Sequence, residues 1–205
     1  TSVRVFAVDS LALGGPELAR YVWGIGATYV PNFEVLPVLR LDRLGRGGDH
    51  RPFHEQGYPA LRFSERLENY TRQHLPADTL GSVNFGYIAN VARLNLATVV
   101  SLAAAPPRPV RTAYSRERET SGGQSFVIRW DASPGATGYE LLVRRTTDPT
   151  YTRIVPVGNV TEYLLDEQLD DVWVGVRAVG EKGHRSLTTV VGAAGGARLP
   201  RERRQ

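Results

Sequence analysis

The sequence predicts two fold classes in tandem, an α/β layer followed by an all-β antiparallel sandwich. Three observations carry this. Up to Leu102, short apolar runs alternate with longer stretches of helical periodicity, the mark of an α/β arrangement. After Pro109 only strand-like runs remain, separated by turn residues at short, regular spacing. Between them Ala103 to Pro109 reads Ala-Ala-Ala-Pro-Pro-Arg-Pro, and prolines that fix φ and remove backbone donors make a semi-rigid spacer. The expected division is residues 1–104, a linker over 105–109, a sandwich over 110–193 and a basic flexible tail over 194–205.

In the first part Val3 to Val8 reads as a strand. Gly15-Pro16 opens a helix, with Pro16 at the first helical position, where its missing N–H costs nothing. Leu18, Tyr21, Val22, Ile25 and Tyr29 mark its apolar face, and Pro31 ends it. Phe33 to Leu41 is a second strand, placed at an edge or bulge by Pro37. Asp49 to Gln56 reads as a short helix and Pro59 to Phe63 as a short buried strand. A polar loop leads to a last helix from Asn84, its N-cap, to about Leu102, with Phe85, Ile88, Val91/Ala92, Leu96 and Val99 as its stripe. So few strands make a poor domain, so this sheet reads as the end of a larger one.

In the second part the strand runs are Ser125–Trp130, Gly138–Val143, Thr161–Leu165 and Val172–Val179, with turns at Ser133-Pro134-Gly135, Asp148-Pro149 and Glu181-Lys182-Gly183. Trp130 followed by Pro134, Tyr139 in the next strand, and Val176-Arg177-Ala178-Val179 before Gly183 give a sequence that resembles a fibronectin type III domain. The tyrosine usual near the start of that family's sixth strand is missing, with Val172 and Trp173 in its neighbourhood.

Composition excludes several classes of function. The 205 residues are 41% apolar and 22% charged, the balance of an ordinary globular protein rather than a disordered one. With no cysteine there is no disulfide, thiolate metal site or cysteine nucleophile, so any metal falls to His and carboxylates. The longest apolar run, Ala97 to Ala105, is broken by Thr98 and Ser101 and is too short to predict a membrane span. The net charge of +4 is carried by arginines scattered along the chain, with Lys182 the one lysine, which argues against a nucleic-acid face. Without methionine, and with a strand-like start in place of a signal peptide, the chain reads as a mature form or a piece of something longer. Asn69-Tyr70-Thr71 and Asn159-Val160-Thr161 match the glycosylation triplet, a pattern too common to carry weight.

Chemistry falls to four histidines. His184 sits in an exposed turn. His50 and His54 would share a helix face, but Glu55 follows the second histidine and Pro52 lies between, so the His-Glu-x-x-His zinc spacing is not met; both are expected to bond to backbone or to Asp49. His74 lies in a long polar loop after a strand, where α/β proteins place their sites, with Asp78 four residues on to orient it.

The run Gly47-Gly48-Asp49-His50-Arg51-Pro52-Phe53-His54-Glu55-Gln56-Gly57-Tyr58-Pro59-Ala60, then Glu68-Asn69-Tyr70, then His74 to Leu80, resembles the C-terminal third of the co-catalytic zinc exopeptidases, the family of bacterial leucyl and aminoacyl aminopeptidases. Thr28 to Val35 fits the same family, and the likeness covers about Val3 to Ala103. The resemblance implies a mixed-sheet α/β domain that hydrolyses peptide bonds with two zinc ions, held by two His, two carboxylates and a bridging Asp, beside a Glu as general base. It makes His74 a zinc ligand with Asp78 supporting it, and Tyr70 and Leu67 lining for the substrate side chain. The histidines matching His50 and His54 are not ligands in the family. Departures are Gly48 in place of the commoner Ser, and the absence of an oxyanion tyrosine, for which Arg46 is the candidate donor.

No His-x-Asp and no Glu-Glu pair occur in the chain, so the other ligands and the general base are expected upstream and the chain alone is expected to be inert. A secreted or periplasmic setting, a peptide substrate, and a surface or protein partner for the sandwich follow from the resemblance. The alternative is a non-catalytic binding or adhesion protein built on a peptidase remnant.

Overall fold

The structure, a computed structural model, describes residues 1–8, 14–40, 42, 47–118, 124–166 and 168–193. The expected tail over 194–205 lies outside the described residues. The chain divides into two compact units, residues 1–100 and 101–205.

In the first unit, β1 (Ser2–Phe6), α1 (Gly15–Tyr29) and β2 (Glu34–Val38) form a βαβ crossover. β3 (Arg62–Glu65) then pairs antiparallel on the other side of β1, giving the order β2-β1-β3. Alternation along β1 sends Val3, Val5 and Ala7 into a core with Ala19 and Val22 of α1, Phe33, Val35, and Leu94 of the last helix, α3 (Phe85–Ala104). The opposite face of β1 carries Arg4 and Phe6, with the Arg4 guanidinium 5.2 Å above the Phe6 ring.

The expected strands and helices form, with shifts that have physical causes. The buried side of α1 is Ala19, Val22 and Gly26 rather than the stripe through Tyr29, which is 56% exposed. Small residues mark the contact: a Cβ on Gly26 would stand 2.5 Å from Cγ2 of Val35, so glycine lets helix and strand touch. The third strand starts at Arg62 rather than Pro59, since proline offers the ladder no donor. Pro37 does lie on an edge strand. The Glu34 N–H donates to the Thr1 carbonyl and the Ala7 N–H to the Val38 carbonyl, both 3.0 Å. Even-numbered residues of β2 therefore face β1, and the nitrogen of Pro37 faces the open side, where no ladder bond is lost.

The last helix departs most from expectation. Asn84 caps it, its Oδ1 accepting the Tyr87 N–H at 3.0 Å. Yet Leu94, Thr98 and Ser101 are buried, while Phe85 (63%), Ile88 (51%), Leu96 (66%) and Val99 (64%) are exposed. Both faces of the helix are largely apolar, and periodicity shows that a stripe exists without saying which one meets the core. Among the described residues this is also the one helix long and apolar enough, by length and composition, to cross a membrane. Run-counting misses it because Asn90, Arg93, Asn95, Thr98 and Ser101 interrupt the apolar residues.

The second unit is a two-sheet sandwich. One sheet runs β11-β4-β5-β8, from Gly192–Ala193, Ala113–Arg118, Gln124–Arg129 and Glu162–Leu165; the other runs β10-β9-β6-β7, from Thr189–Val190, Val172–Gly180, Ala136–Arg145 and Arg153–Gly158. Between them lie Phe126, Ile128, Trp130, Tyr139, Leu141, Val143, Val174, Val176 and Ala178. Strand pairing of this order is that of a fibronectin type III-like sandwich. β4 and β7 were not legible as strand runs; β7 pairs with β6 alone and carries Pro156, as an edge strand permits.

No tyrosine stands on β9, and the tie made here belongs to Tyr139, whose hydroxyl accepts the Ser133 N–H at 2.7 Å while its ring packs 5.5 Å from Trp130. Within the proline-rich stretch Pro109 is fully buried and Pro106 sits so close to Gly180 that a Cβ there would meet Pro106 Cδ at 3.1 Å, while Pro107 and Arg108 are exposed. Glu140, buried on β6, accepts from Arg177 (2.6 Å) and Arg185 (3.1 Å). Burial opposes its ionisation, but the hydrogen bonds and charges of the two guanidinium groups outweigh it and hold the carboxyl below its usual range.

A candidate substrate pocket beside the third strand

All four residues of β3 line one cavity of about 510 Å³. Its other walls come from the loop after β3, through Glu68, Asn69, Tyr70, Arg72, Gln73 and Asp78, and from the start of α3, through Asn84, Tyr87 and Ile88. The topology makes this pocket. β1 lies central, β3 pairs with it, and the loop folds back before Asn84 starts the helix.

Arginines on the strands hold the loop. Arg4 of β1 donates through Nε and Nη2 to the Glu65 carbonyl (3.2 and 2.8 Å) and through Nη2 to Oε2 of Glu68 (2.8 Å). Arg62 of β3 bonds to Asp42 and stands 3.8 Å from the second Glu68 oxygen. Glu68 in turn accepts the Tyr70 hydroxyl, so the ring predicted to meet substrate is fixed through two strand arginines. Asn69 folds its own segment, its Oδ1 accepting the Thr71 N–H (3.0 Å) and hydroxyl (2.7 Å). On the helix side the Tyr87 ring meets Phe33 edge-on at 5.4 Å, and its hydroxyl is buried without a hydrogen-bond partner among the described residues. Burial, then the nearby Glu65 charge, push its phenol up.

Of the sequence-predicted site residues, Tyr70 (44% exposed) and Asp78 line this cavity. His74 stands exposed between Gln73 and Asp78 with its backbone at φ 61°, in the left-handed region that a non-glycine residue adopts at a cost. Leu67 is 83% exposed and not part of the lining. Arg46 lies outside the described residues. Sequence reasoning missed Arg62, Glu68, Arg72 and Tyr87; the available signal was the arginine at position 4, in the middle of a strand otherwise rich in apolar residues.

His50 and His54 stack edge to face at 5.8 Å on α2 (His50–Glu55). The expected bonds to backbone or Asp49 do not form at His54, whose ring nitrogens are both buried without partners among the described residues, and Asp49 makes no side-chain cap. The helix places the rings against each other rather than against a carbonyl. Burial, then the charges of His54, Arg62 and Arg51, push His50 below the ordinary histidine value. A Cβ at Gly48 would lie 2.9 Å from Nδ1 of the His50 ring.

A zinc ion takes about four donors. Among the described residues no group of three or more His, Asp or Glu gathers closely enough to hold one, so these residues by themselves do not fit a zinc centre.

No family model matches the chain. It is 35% identical over 196 residues to a probable zinc metalloprotease of Pyrenophora tritici-repentis, covering 86% of this chain and 44% of that protein. A probable zinc metalloprotease of Leptosphaeria maculans is 35% identical over 197 residues (88% and 45%), and one of Pyricularia oryzae 36% over 187 residues (85% and 37%). Among solved structures, a Fn3-like protein from Clostridium thermocellum is 23% identical over 44% of this chain and 96% of its own, with a TM-score of 0.35. The chain spans less than half the length of these curated relatives. Over most of its own length it is homologous to proteins named probable zinc metalloproteases.

Proposed function

We propose that this chain is the C-terminal part of an exported, zinc-dependent aminopeptidase of the co-catalytic type, with the sandwich as an appended module that meets a surface or protein partner. The observation that carries the reading is the homology to probable zinc metalloproteases over 86% of the chain. The local geometry agrees with it, because the loop that carries His74 also presents Tyr70 and Asp78 to one cavity at the end of the sheet. In this reading His74 gives one imidazole to one of two zinc ions, Asp78 orients it, and Tyr70 meets the side chain of a peptide substrate. The remaining donors and the general base belong to polypeptide that the relatives possess beyond the matched region. No hydrolytic step is derived from the residues here, which do not complete a metal centre.

The test uses the full-length protein on amino-acid anilides, with metal content measured in parallel. Two zinc ions per chain and cleavage abolished by chelator are expected. His74→Ala should lower bound zinc by about one ion and activity by on the order of 10²-fold or more. Cleavage insensitive to chelator, or a His74→Ala protein with unchanged zinc, overturns the reading; a folded full-length protein with no zinc favours the binding-protein alternative.

A further inference from the structure

Asn159-Val160-Thr161 meets the sequence requirement for N-linked glycosylation, an asparagine and a hydroxyl residue two positions on with no proline between. The triplet alone carries little; its place in the sandwich carries more. It forms the whole crossing from β7, which ends at Gly158, to β8, which begins at Glu162. All three residues are exposed, and among the described residues neither the Asn159 carboxamide nor the Thr161 hydroxyl has a hydrogen-bond partner. Backbone holds the crossing. The Trp130 N–H donates to the Thr161 carbonyl at 3.0 Å, and Gly158 turns the chain at φ 73° with open space where a Cβ would stand.

The crossing joins two edge strands. Among the described residues β7 pairs with β6 alone and β8 with β5 alone, so both sheets leave an open edge on this flank. β7 carries Pro156, whereas β8 has no proline and leaves Leu164 54% exposed; Val160, in the crossing, is 41% exposed. A bulky, hydrated group on Asn159 would stand over the flank where a second chain could add. Asn69-Tyr70-Thr71 differs. Its Asn69 Oδ1 accepts the Thr71 N–H and hydroxyl, and Asn69 lines the cavity, so a glycan there would fill the space beside Tyr70.

We propose that Asn159, and not Asn69, carries an N-linked oligosaccharide that shields the β7 and β8 edges. This rests on the reading of the protein as exported, not on the zinc assignment. The relatives named above come from fungi, whose secretory pathway performs the transfer. The donor is a lipid-linked pyrophosphoryl oligosaccharide. A C–N bond forms between the anomeric carbon of the sugar and Nδ2 of Asn159, and Nδ2 gives up a proton. The bond from the anomeric carbon to the pyrophosphate oxygen breaks, and the lipid pyrophosphate leaves with the electron pair.

The experiment expresses the full-length gene in a filamentous fungus and compares culture medium with cell extract. Gel mobility is read together with peptide mass spectrometry after peptide N-glycosidase, which turns a glycosylated asparagine into aspartate. Expected is protein in the medium, shifted on the gel, with conversion at Asn159 and an unmodified Asn69. Asn159→Gln and Thr161→Ala should lose the shift, while Thr161→Ser, which keeps the triplet, should keep it. Light scattering should find a larger aggregated fraction in secreted Asn159→Gln than in the parent. The peptide map of the parent decides occupancy without any variant. Protein in the medium without conversion at Asn159, or with a glycan on Asn69, overturns the proposal and leaves export standing. Protein confined to the extract overturns export and the proposal with it. An Asn159→Gln protein as monodisperse as the glycosylated parent overturns the shielding role. Protein in the medium that is glycosylated at Asn159 and holds no zinc supports the proposal and removes the peptidase reading.

Discussion

Tyr87 shows how little a hydroxyl contributes when nothing bonds to it. Its ring packs on Phe33 and lines the cavity, while its oxygen is buried without a partner among the described residues. Tyr87→Phe is therefore expected to change stability by no more than about 0.5 kcal/mol, because it removes a desolvated polar atom and keeps the packing. Tyr87→Ala should cost about 2 to 3 kcal/mol through the lost ring. Urea denaturation of the two variants checks the difference; a large loss for Tyr87→Phe would show that the hydroxyl bonds to something in solution. The same scale marks the limit of reading residues from sequence. His74, Tyr70 and Asp78 can be picked out from their order along the loop, but Glu68 cannot, because its importance comes from Arg4, 64 positions away.

Elements were legible where local chemistry acts alone. Asn84 as a cap, Pro16 opening a helix and Pro37 on an edge depend on backbone donors within a few residues. Burial was legible only in part, because it depends on what lies across the contact. On α1 the large Tyr29 is exposed while Gly26 meets β2, since close helix–strand contact selects a residue with no side chain. On α3 the stronger apolar stripe is the uncovered one. Gly26 gives the element-scale test. In an open helix Gly→Ala gains about 1 kcal/mol, but here the added methyl collides with Val35, so Gly26→Ala should destabilise by about 1 to 2 kcal/mol net. Denaturation midpoints would show it, and a stabilised variant would mean that helix and strand stand further apart than drawn.

At the scale of the molecule, two units hold separate cores, and only the second was predicted as a finished architecture. Regular strand spacing specifies a sandwich because each strand finds its partners within the same hundred residues, whereas a three-stranded sheet does not enclose itself. The sandwich has its own acid dependence through Glu140. Its carboxyl is held low by Arg185 and Arg177, so the folded form binds fewer protons than the unfolded one. The stability it supplies is present above about pH 4.5 and is lost as pH falls through the depressed folded value. Glu140→Gln should cost about 2 kcal/mol at neutral pH and flatten the decline of Tm on acidification below that point. A variant whose acid profile matches the parent would place the sensitivity elsewhere.

Pro37 has a consequence for the life of the chain before it is complete. Half-built sheets are templates, and two copies that meet flank to flank can stack into a fibre. With an imino nitrogen turned outward on β2, that flank is a poorer template for such stacking, and the hazard lies more with β3, the other edge of the sheet among the described residues. How safe a nascent chain is from self-templating then depends mainly on how well the β3 flank is shielded.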